Sequence, residues 1–287
     1  MRRALCVGIN EYPTSANDLN GCVNDAEDWG GLLKSYGFTV DFLLNKQATR
    51  LNIISGLFGL VIYANDGDDI VFTYSGHGTQ TVDMSGDEED GYDEALFVYN
   101  GMIVDDDIRK VLEALDPGVN FTIISDSCFS GTVTRKIRGG EGRVRFVRNP
   151  RVLPNAKLKK KLVPEEEMRV MLLSGCNDDE YSYDAFIAGR YNGAFSRWAI
   201  NAFAPGLLYS EWYALIRETL PSPAYPQTPQ LEGAKKHTPV FGLEEPETPE
   251  PIPEPTPGPE RSTWWHWPLV GAIVVIGLIA MIRFTNC

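Results

Sequence analysis

Two stretches of the sequence decide the fold, DDIVFTYSGHGT at residues 68–79 and NFTIISDSCFSG at residues 120–131. Each contains a short run of β-branched and aromatic residues, typical of a buried strand, followed directly by a polar turn with glycine. The first turn carries His77 and the second carries Cys128. Because chemistry collects at the carboxyl ends of parallel strands, neighbouring strands would place this imidazole beside this thiol.

The flanking sequence alternates apolar runs with helical patterns. We predict strands near residues 4–9, 39–44, 69–74 and 120–125, and helices near residues 24–36, 50–63 and 106–115. Strand–helix alternation predicts an α/β fold with a mainly parallel sheet and helices on both faces.

The pair Cys128 and His77 has a known chemistry. A thiol with a pKa of about 8.5 is mostly protonated at neutral pH, and a nearby histidine lowers that pKa or takes the proton during attack. Of the other histidines, His266 lies in an apolar segment and His237 near the end of the preceding region, so His77 is the best base. The backbone N–H groups of Gly78 and Cys128 are candidates to hold an oxyanion. Taken singly, either side chain could be an ordinary buried residue.

The two blocks YSGHGT at 74–79 and DSCFSG at 126–131 place His77 and Cys128 51 residues apart. Further blocks follow the same order along the chain: GINEY at 8–12, LNGCVND at 19–25, DGYDE at 90–94, SGCNDD at 174–179, NGAF at 192–195 and YPQTPQL at 225–231. This ordered set resembles the metacaspases, the caspase-related cysteine peptidases. The resemblance covers nearly all of residues 3–243, and it implies a caspase-like sandwich with a six-stranded sheet.

Metacaspases cleave after arginine or lysine, and the resemblance assigns their primary specificity pocket to Cys22, Asp25, Ser75 and Asp126. The spacing in the sequence is consistent with this assignment, because Cys22 and Asp25 are three residues apart at a helix start and share a face. Two carboxylates in one pocket would pair with a cationic side chain and exclude an acidic one. Asp25 alone could also be an ordinary first-turn acid of a helix.

Basic residues are concentrated in one stretch: 11 of the 26 lysines and arginines lie between residues 135 and 161. The stretch also contains Gly139-Gly140, Pro150 and Pro154, which predicts an exposed, mobile loop. A protease specific for lysine and arginine would cut itself there. The alternatives are a solvated linker and a patch for anionic lipid.

Acidic residues crowd residues 83–107 and suggest a Ca²⁺ site. Calcium-activated metacaspases use an aspartate set that matches Asp93, Asp105 and Asp106. A fourth family aspartate is replaced here by Arg135, which should weaken calcium binding. Alternatively, Asp105 and its neighbours simply cap the following helix. No organic cofactor is expected.

The C-terminal sequence predicts a membrane anchor. Residues 264–282 form an almost unbroken apolar stretch with three tryptophans at one end, long enough to span a bilayer. A buried C-terminal helix is the alternative. Without a signal peptide, the chain is expected to be a single-pass protein anchored by its C-terminus, with a cytoplasmic head. We predict a peptidase domain at 1–243 (large-subunit region 1–134, basic linker loop 135–165, small-subunit region 166–243), a Pro/Glu-rich linker at 244–263, a transmembrane helix at 264–283 and a tail at 284–287.

Overall charge and cysteine content narrow the function classes. The formal net charge of −13 argues against a nucleic-acid binder, because an acidic surface repels phosphate. Five scattered cysteines without CxxC spacing indicate neither a disulfide framework nor a zinc site. We therefore expect a membrane-tethered cysteine endopeptidase acting on protein or peptide substrates, monomeric by analogy. A catalytically silent scaffold of the same fold is the alternative, and a thiol hydrolase of small esters or amides is a third possibility.

Overall fold

The computed structural model describes residues 1–82, 92–128, 143–149, 167–177 and 180–245, all within one unit, Met1–Pro246. The strands are β1 Arg2–Gly8, β2 Thr39–Leu44, β3 Asp69–Ser75, β4 His77–Val82, β5 Tyr92–Val98, β6 Gly101–Val104, β7 Asn120–Asp126, β8 Arg143–Val144, β9 Val170–Ser174, β10 Tyr183–Ile187, β11 Arg190–Gly193 and β12 Gln230–Glu232. The α-helices are α1 Cys22–Ser35, α2 Arg50–Ile62, α3 Asp105–Leu112, α4 Ala194–Ala202 and α5 Tyr209–Arg217.

A six-stranded sheet forms the centre, in the order β12-β9-β7-β3-β1-β2. All neighbouring pairs are parallel except β12 with β9. The prediction of a mainly parallel six-stranded sheet is confirmed. β3 and β7, which precede His77 and Cys128, are direct neighbours in this sheet.

Helices cover both faces of the sheet, and alternate residues of each strand face opposite layers. In β1, Leu5 and Val7 pack in the cluster that includes residues of α2 and α3. Ala4 and Cys6 pack in the other cluster, with residues of α1, α4 and α5. Burial on both faces explains why these strands are nearly continuous apolar runs.

Gly8, the last residue of β1, lets α1 begin close to the sheet. A Cβ added at Gly8 would lie 2.4 Å from the carbonyl oxygen of Cys22, so any larger residue would push the helix away. Cys22 and Asp25 occupy the first turn of α1 and are buried at the carboxyl edge of the sheet. This close approach positions both residues for the site.

Two small antiparallel sheets, β4-β5-β6 and β11-β10-β8, were not predicted from the sequence. Only Gly76 separates the end of β3 from the start of β4 at His77. The predicted polar turn is therefore the start of a second sheet. β8 belongs to the basic stretch, and the site depends on it.

Among the residues that the structure describes, no helix has the length and apolar character needed to cross a bilayer. The predicted transmembrane helix at 264–283 and the tail lie outside those residues, as does the predicted linker beyond residue 245.

Candidate active site

The two strand ends meet as the sequence predicts. In the parallel ladder, Ser75 of β3 is level with Asp126 of β7, and His77 and Cys128 each follow two residues later. The backbone N–H groups of Gly78 and Cys128 donate to one and the same oxygen, the carbonyl of Arg145, at 2.9 and 3.2 Å. Two N–H groups on one carbonyl oxygen have the arrangement of an oxyanion hole.

His77 is held by a backbone carbonyl. Its Nε2 lies 2.7 Å from the carbonyl oxygen of Asn17, and a carbonyl only accepts, so Nε2 carries the proton. Nδ1 is then unprotonated, and it is buried without a hydrogen-bond partner. The ring packs 5.1 Å from the ring of Tyr12, whose hydroxyl also accepts from the N–H of His77. The imidazole is therefore oriented with a free lone pair, as a general base requires.

Burial keeps this imidazole neutral. It lowers the pKa of His77 from 6.5 to about 4, because the charged ring would lose its hydration. The hydrogen bond to the carbonyl of Asn17 opposes that shift only in part. At neutral pH the ring is unprotonated and able to accept a proton.

The thiol of Cys128 is fully buried. Its Sγ lies 3.3 Å from the carbonyl oxygen of Ser182, and the N–H of Ser182 points at the same sulfur. Ser182 directly precedes β10, so the start of this strand borders the nucleophile. A second buried cysteine, Cys176, hydrogen-bonds to the carbonyl of Ser127, the residue before the nucleophile.

The primary pocket is built around the guanidinium of Arg145. Nη2 lies 2.7 Å from Oδ2 of Asp25 and 3.2 Å from Oδ1 of Asp184, and Nη1 lies 3.2 Å from Oδ1 of Asp126. All four side chains are completely buried. Cys22 and Ser75, the other predicted pocket residues, are buried at the same edge of the sheet.

Backbone donors stabilise the three carboxylates. Asp25 accepts from the N–H of Gly193, Asp126 from the N–H of Ser196, and Asp184 from the N–H of Gly21. Ser196 lies in the first turn of α4, where unpaired N–H groups favour an anion. Burial still raises the pKa of Asp25 to about 6, and the guanidinium of Arg145 opposes that rise. The pocket is thus a preformed anionic cavity that fits one planar cation.

Gly193 makes this packing possible. A Cβ at this position would lie 2.0 Å from Oδ2 of Asp126 and 2.5 Å from Nη1 of Arg145. A side chain at Gly193 would therefore occupy the space that the cation needs.

Residues 143–147, here called the cleft segment, run through the site. Arg143 and Val144 form β8 and pair antiparallel with β10. The N–H of Arg145 donates to the carbonyl of Ser182, and the N–H of Val147 donates to the carbonyl of Gly78. The prediction that the whole basic stretch is an exposed loop is wrong for Arg145, because three carboxylates compensate the burial of its charge.

Sequence reasoning missed Asp184 and Asn17. β10 was not predicted, so Asp184 had no assigned place, although the alternation of Tyr183-Asp-Ala-Phe-Ile is typical of a strand. Asn17 acts through its carbonyl oxygen, which every residue has, and no sequence signal could have identified it.

The three predicted calcium ligands lie in two different elements of the fold. Asp93 is buried in β5, whereas Asp105 and Asp106 lie in the first turn of α3. The N-cap of α3 is Val104, so these aspartates do not cap the helix as the alternative expected. Both first-turn carboxylates pair with Arg109, at 2.9 and 3.0 Å. Within the described ranges, no group of three or more His, Cys, Asp or Glu side chains is arranged to hold a metal ion. Arg135 lies outside these ranges.

Comparison with known proteins identifies the family. The family model described as "Metacaspase, peptidase C14 domain" matches residues 2–136. The Metacaspase-1 of Emericella nidulans is 31% identical over 285 residues, covering 81% of this chain and 70% of that protein. The Metacaspase-1 of Meyerozyma guilliermondii is 32% identical, with 81% and 69% covered.

A solved structure agrees with the fold. The crystal structure of protein GSU0716 from Geobacter sulfurreducens aligns with a TM-score of 0.65 and 28% identity, covering 85% of this chain and all of that chain. With the paired strand ends and these relatives, the chain belongs to the metacaspase family and is a cysteine-type peptidase.

Proposed function

We propose that this peptidase cleaves peptide bonds after arginine and, less efficiently, after lysine, with Cys128 as nucleophile and His77 as base. One observation carries the proposal: Arg145 lies in the cleft as the residue before a scissile bond would lie. Its guanidinium meets Asp25, Asp126 and Asp184, while its carbonyl oxygen accepts from the N–H groups of Gly78 and Cys128.

The reaction follows from these contacts. Nδ1 of His77 takes the thiol proton, and the sulfur of Cys128 bonds to the carbonyl carbon of the substrate arginine. The N–H groups of Gly78 and Cys128 hold the oxyanion. The C–N bond breaks as His77 returns the proton to the leaving amine. Water then hydrolyses the thioester, which releases a new carboxylate and restores the thiol.

The first substrate is the chain itself, at the bond between Arg145 and Phe146. The cleft segment already has the hydrogen bonds of a bound peptide on both sides of that bond, through Ser182 and Gly78. As long as it remains there, it also blocks other substrates from the primary pocket. Cleavage at this bond would release the block.

The proposal includes modulation by calcium and attachment to a membrane. Asp93, Asp105 and Asp106 would take part in any calcium effect, but Arg109 already neutralises the two first-turn carboxylates and would compete with a cation. Oxygen ligands beyond these would have to come from residues outside the described ranges. Membrane tethering, with a cytoplasmic head, rests on the apolar composition of residues 264–283.

Reporter hydrolysis by the full-length protein tests the proposed function. We expect release of a fluorophore after arginine, a slower release after lysine and none after aspartate. Cys128→Ala should lower the rate by at least ~10³-fold, because the nucleophile is lost. Circular dichroism and thermal unfolding of both proteins control for folding. Equal hydrolysis by the alanine variant, or preferred cleavage after aspartate, would contradict the proposal.

The two reactions should differ in their pH dependence. Self-cleavage starts from the filled cleft, where the pKa of His77 is about 4, so the neutral base persists as the pH falls to 5. After cleavage the cleft opens to water, and for peptide substrates kcat/KM reports the free enzyme, with a histidine pKa of about 6.5. Between pH 8 and pH 5, we expect peptide kcat/KM to fall roughly 30-fold. Self-cleavage should fall no more than about tenfold, as Asp25, with its pKa of about 6, takes up a proton while His77 stays neutral. If the rates of both reactions fell to the same extent over this pH range, the prediction would be contradicted.

A further inference from the structure

We infer that a second subsite, beside the primary pocket, selects a β-branched aliphatic residue directly before the substrate arginine. This inference rests on the proposed function and adds to it the identity of the neighbouring residue in the substrate. The subsite is formed by Tyr181, Tyr183 and Tyr225, and we call it the tyrosine pocket.

The backbone of the cleft segment shows where each substrate position lies. Val144 is paired with Tyr183 and Arg143 with Asp184 in the antiparallel β8–β10 ladder. Successive side chains of a strand point to opposite faces, so the residue before the arginine points away from the primary pocket. A peptide substrate that pairs with β10 in the same register would place its own residue there.

The tyrosine pocket is apolar where it meets Val144. Val144 is half-buried and packs against the cluster formed by Tyr183, Ala185 and Ala194, to which Tyr181 and Tyr225 also belong. The rings of Tyr183 and Tyr225 lie 6.1 Å apart and are inclined at 54°. Rings at this spacing pack against each other, and the aromatic surface that they form offers contact area to a small aliphatic group at the position of Val144.

The walls are fixed before a substrate arrives. The side chain of Gln227 is fully buried, accepts from the N–H of Tyr183 at 3.2 Å and donates to the carbonyl of Gly175 at 2.7 Å. This bridge joins β10 to the loop after β9, so the tyrosine pocket keeps its shape.

Shape and charge both favour valine or isoleucine at this position. A β-branched residue is already restricted to the extended conformation that the ladder requires. An acidic residue would lose hydration against the tyrosine rings. Glycine or alanine would leave the pocket partly empty.

The residue two positions before the substrate arginine has less influence on selectivity. Arg143 is exposed, and its side chain contacts the protein through the carbonyl oxygen of Asp18. An exposed contact of this kind contributes little to selectivity.

Three peptides of the form acetyl-Arg-X-Arg-aminomethylcoumarin test the inference with the full-length, self-cleaved protein. With X as valine, alanine or aspartate, we expect kcat/KM for valine to exceed that for alanine about tenfold and that for aspartate about 100-fold. Tyr225→Ala should reduce the valine-to-alanine ratio to within about threefold. Phe186→Ala, on β10 and 47% exposed, is the control and should leave the ratio unchanged.

The kcat/KM ratios of the wild-type protein test the inference even if the Tyr225→Ala variant does not fold. Equal kcat/KM for the three peptides would overturn the inference while leaving cleavage after arginine intact. No hydrolysis of any of the three would contradict the proposed function and the inference with it.

Discussion

Arg145→Gln is expected to abolish self-cleavage between residues 145 and 146. Glutamine has no positive charge, so the contacts of the guanidinium with Asp25, Asp126 and Asp184 are all lost. Each charge-assisted contact in a desolvated site is worth about 2 kcal/mol or more, so losing three of them should lower the rate of this cleavage by at least ~10³-fold. The change leaves Cys128 and His77 untouched, and without these three contacts the uncleaved cleft segment is held less tightly. An added arginine reporter should therefore displace the segment and still be hydrolysed.

Arg143→Gln is the matched control. Arg143 lies two residues away in the same cleft segment, but it is exposed and outside the primary pocket. We expect this variant to cleave itself at close to the wild-type rate, as measured by intact mass over time. Retention of the 145–146 cut in Arg145→Gln, or its loss in Arg143→Gln, would show that the primary pocket does not select the bond.

Asp184→Asn should lower kcat/KM for an arginine reporter about 100-fold. Both carboxylate oxygens of Asp184 accept backbone N–H groups, from Gly21 and Asn20, and one of them also faces Nη2 of Arg145. An amide has one acceptor oxygen, so asparagine must place its NH₂ group against a donor. The loss of one charged, buried contact corresponds to about 2–5 kcal/mol.

The ratio of kcat/KM for the arginine reporter to that for the lysine reporter distinguishes a role of Asp184 in recognition from a loss of folded protein. Asp184 and Asp25 both contact Nη2, while Asp126 contacts Nη1, and a single lysine ammonium cannot meet all three carboxylates. The preference for arginine should therefore shrink in Asp184→Asn. Asp69→Asn is the control, since Asp69 pairs with Arg2 at the opposite end of β3 and should alter neither rate nor ratio. An unchanged ratio together with a lower rate would assign Asp184 a structural role only.

The central sheet was predictable because its strands are unusually clear. Ile70 to Tyr74 and Phe121 to Ile124 are continuous runs of β-prone residues, buried on both faces by the two helical layers. Parallel pairing then brings His77 and Cys128 together without further information. Asp25 and Asp126 were assigned to the primary pocket by the resemblance to the metacaspases.

The features of the site that could not be predicted from the sequence depend on long-range charge compensation and on backbone atoms. Basic residues in a Gly- and Pro-containing stretch are usually exposed, and nothing local distinguishes Arg145 from Arg143 or Arg148. Arg145 is buried because residues 120, 19 and 39 positions away in the sequence supply carboxylates, a coincidence that only the assembled fold reveals. The orienting carbonyl of Asn17 is likewise visible only in three dimensions.

The most direct measurement is the intact mass of the purified full-length protein and of its Cys128→Ala variant during incubation at neutral pH. If the sulfur of Cys128 attacks the carbonyl that the primary pocket positions, the wild type should give two fragments, 1–145 and 146–287, and the variant should remain whole. A cut at this bond in both proteins, or first cuts elsewhere in the wild type, would contradict the catalytic role of Cys128 at a bond chosen by Asp25, Asp126 and Asp184.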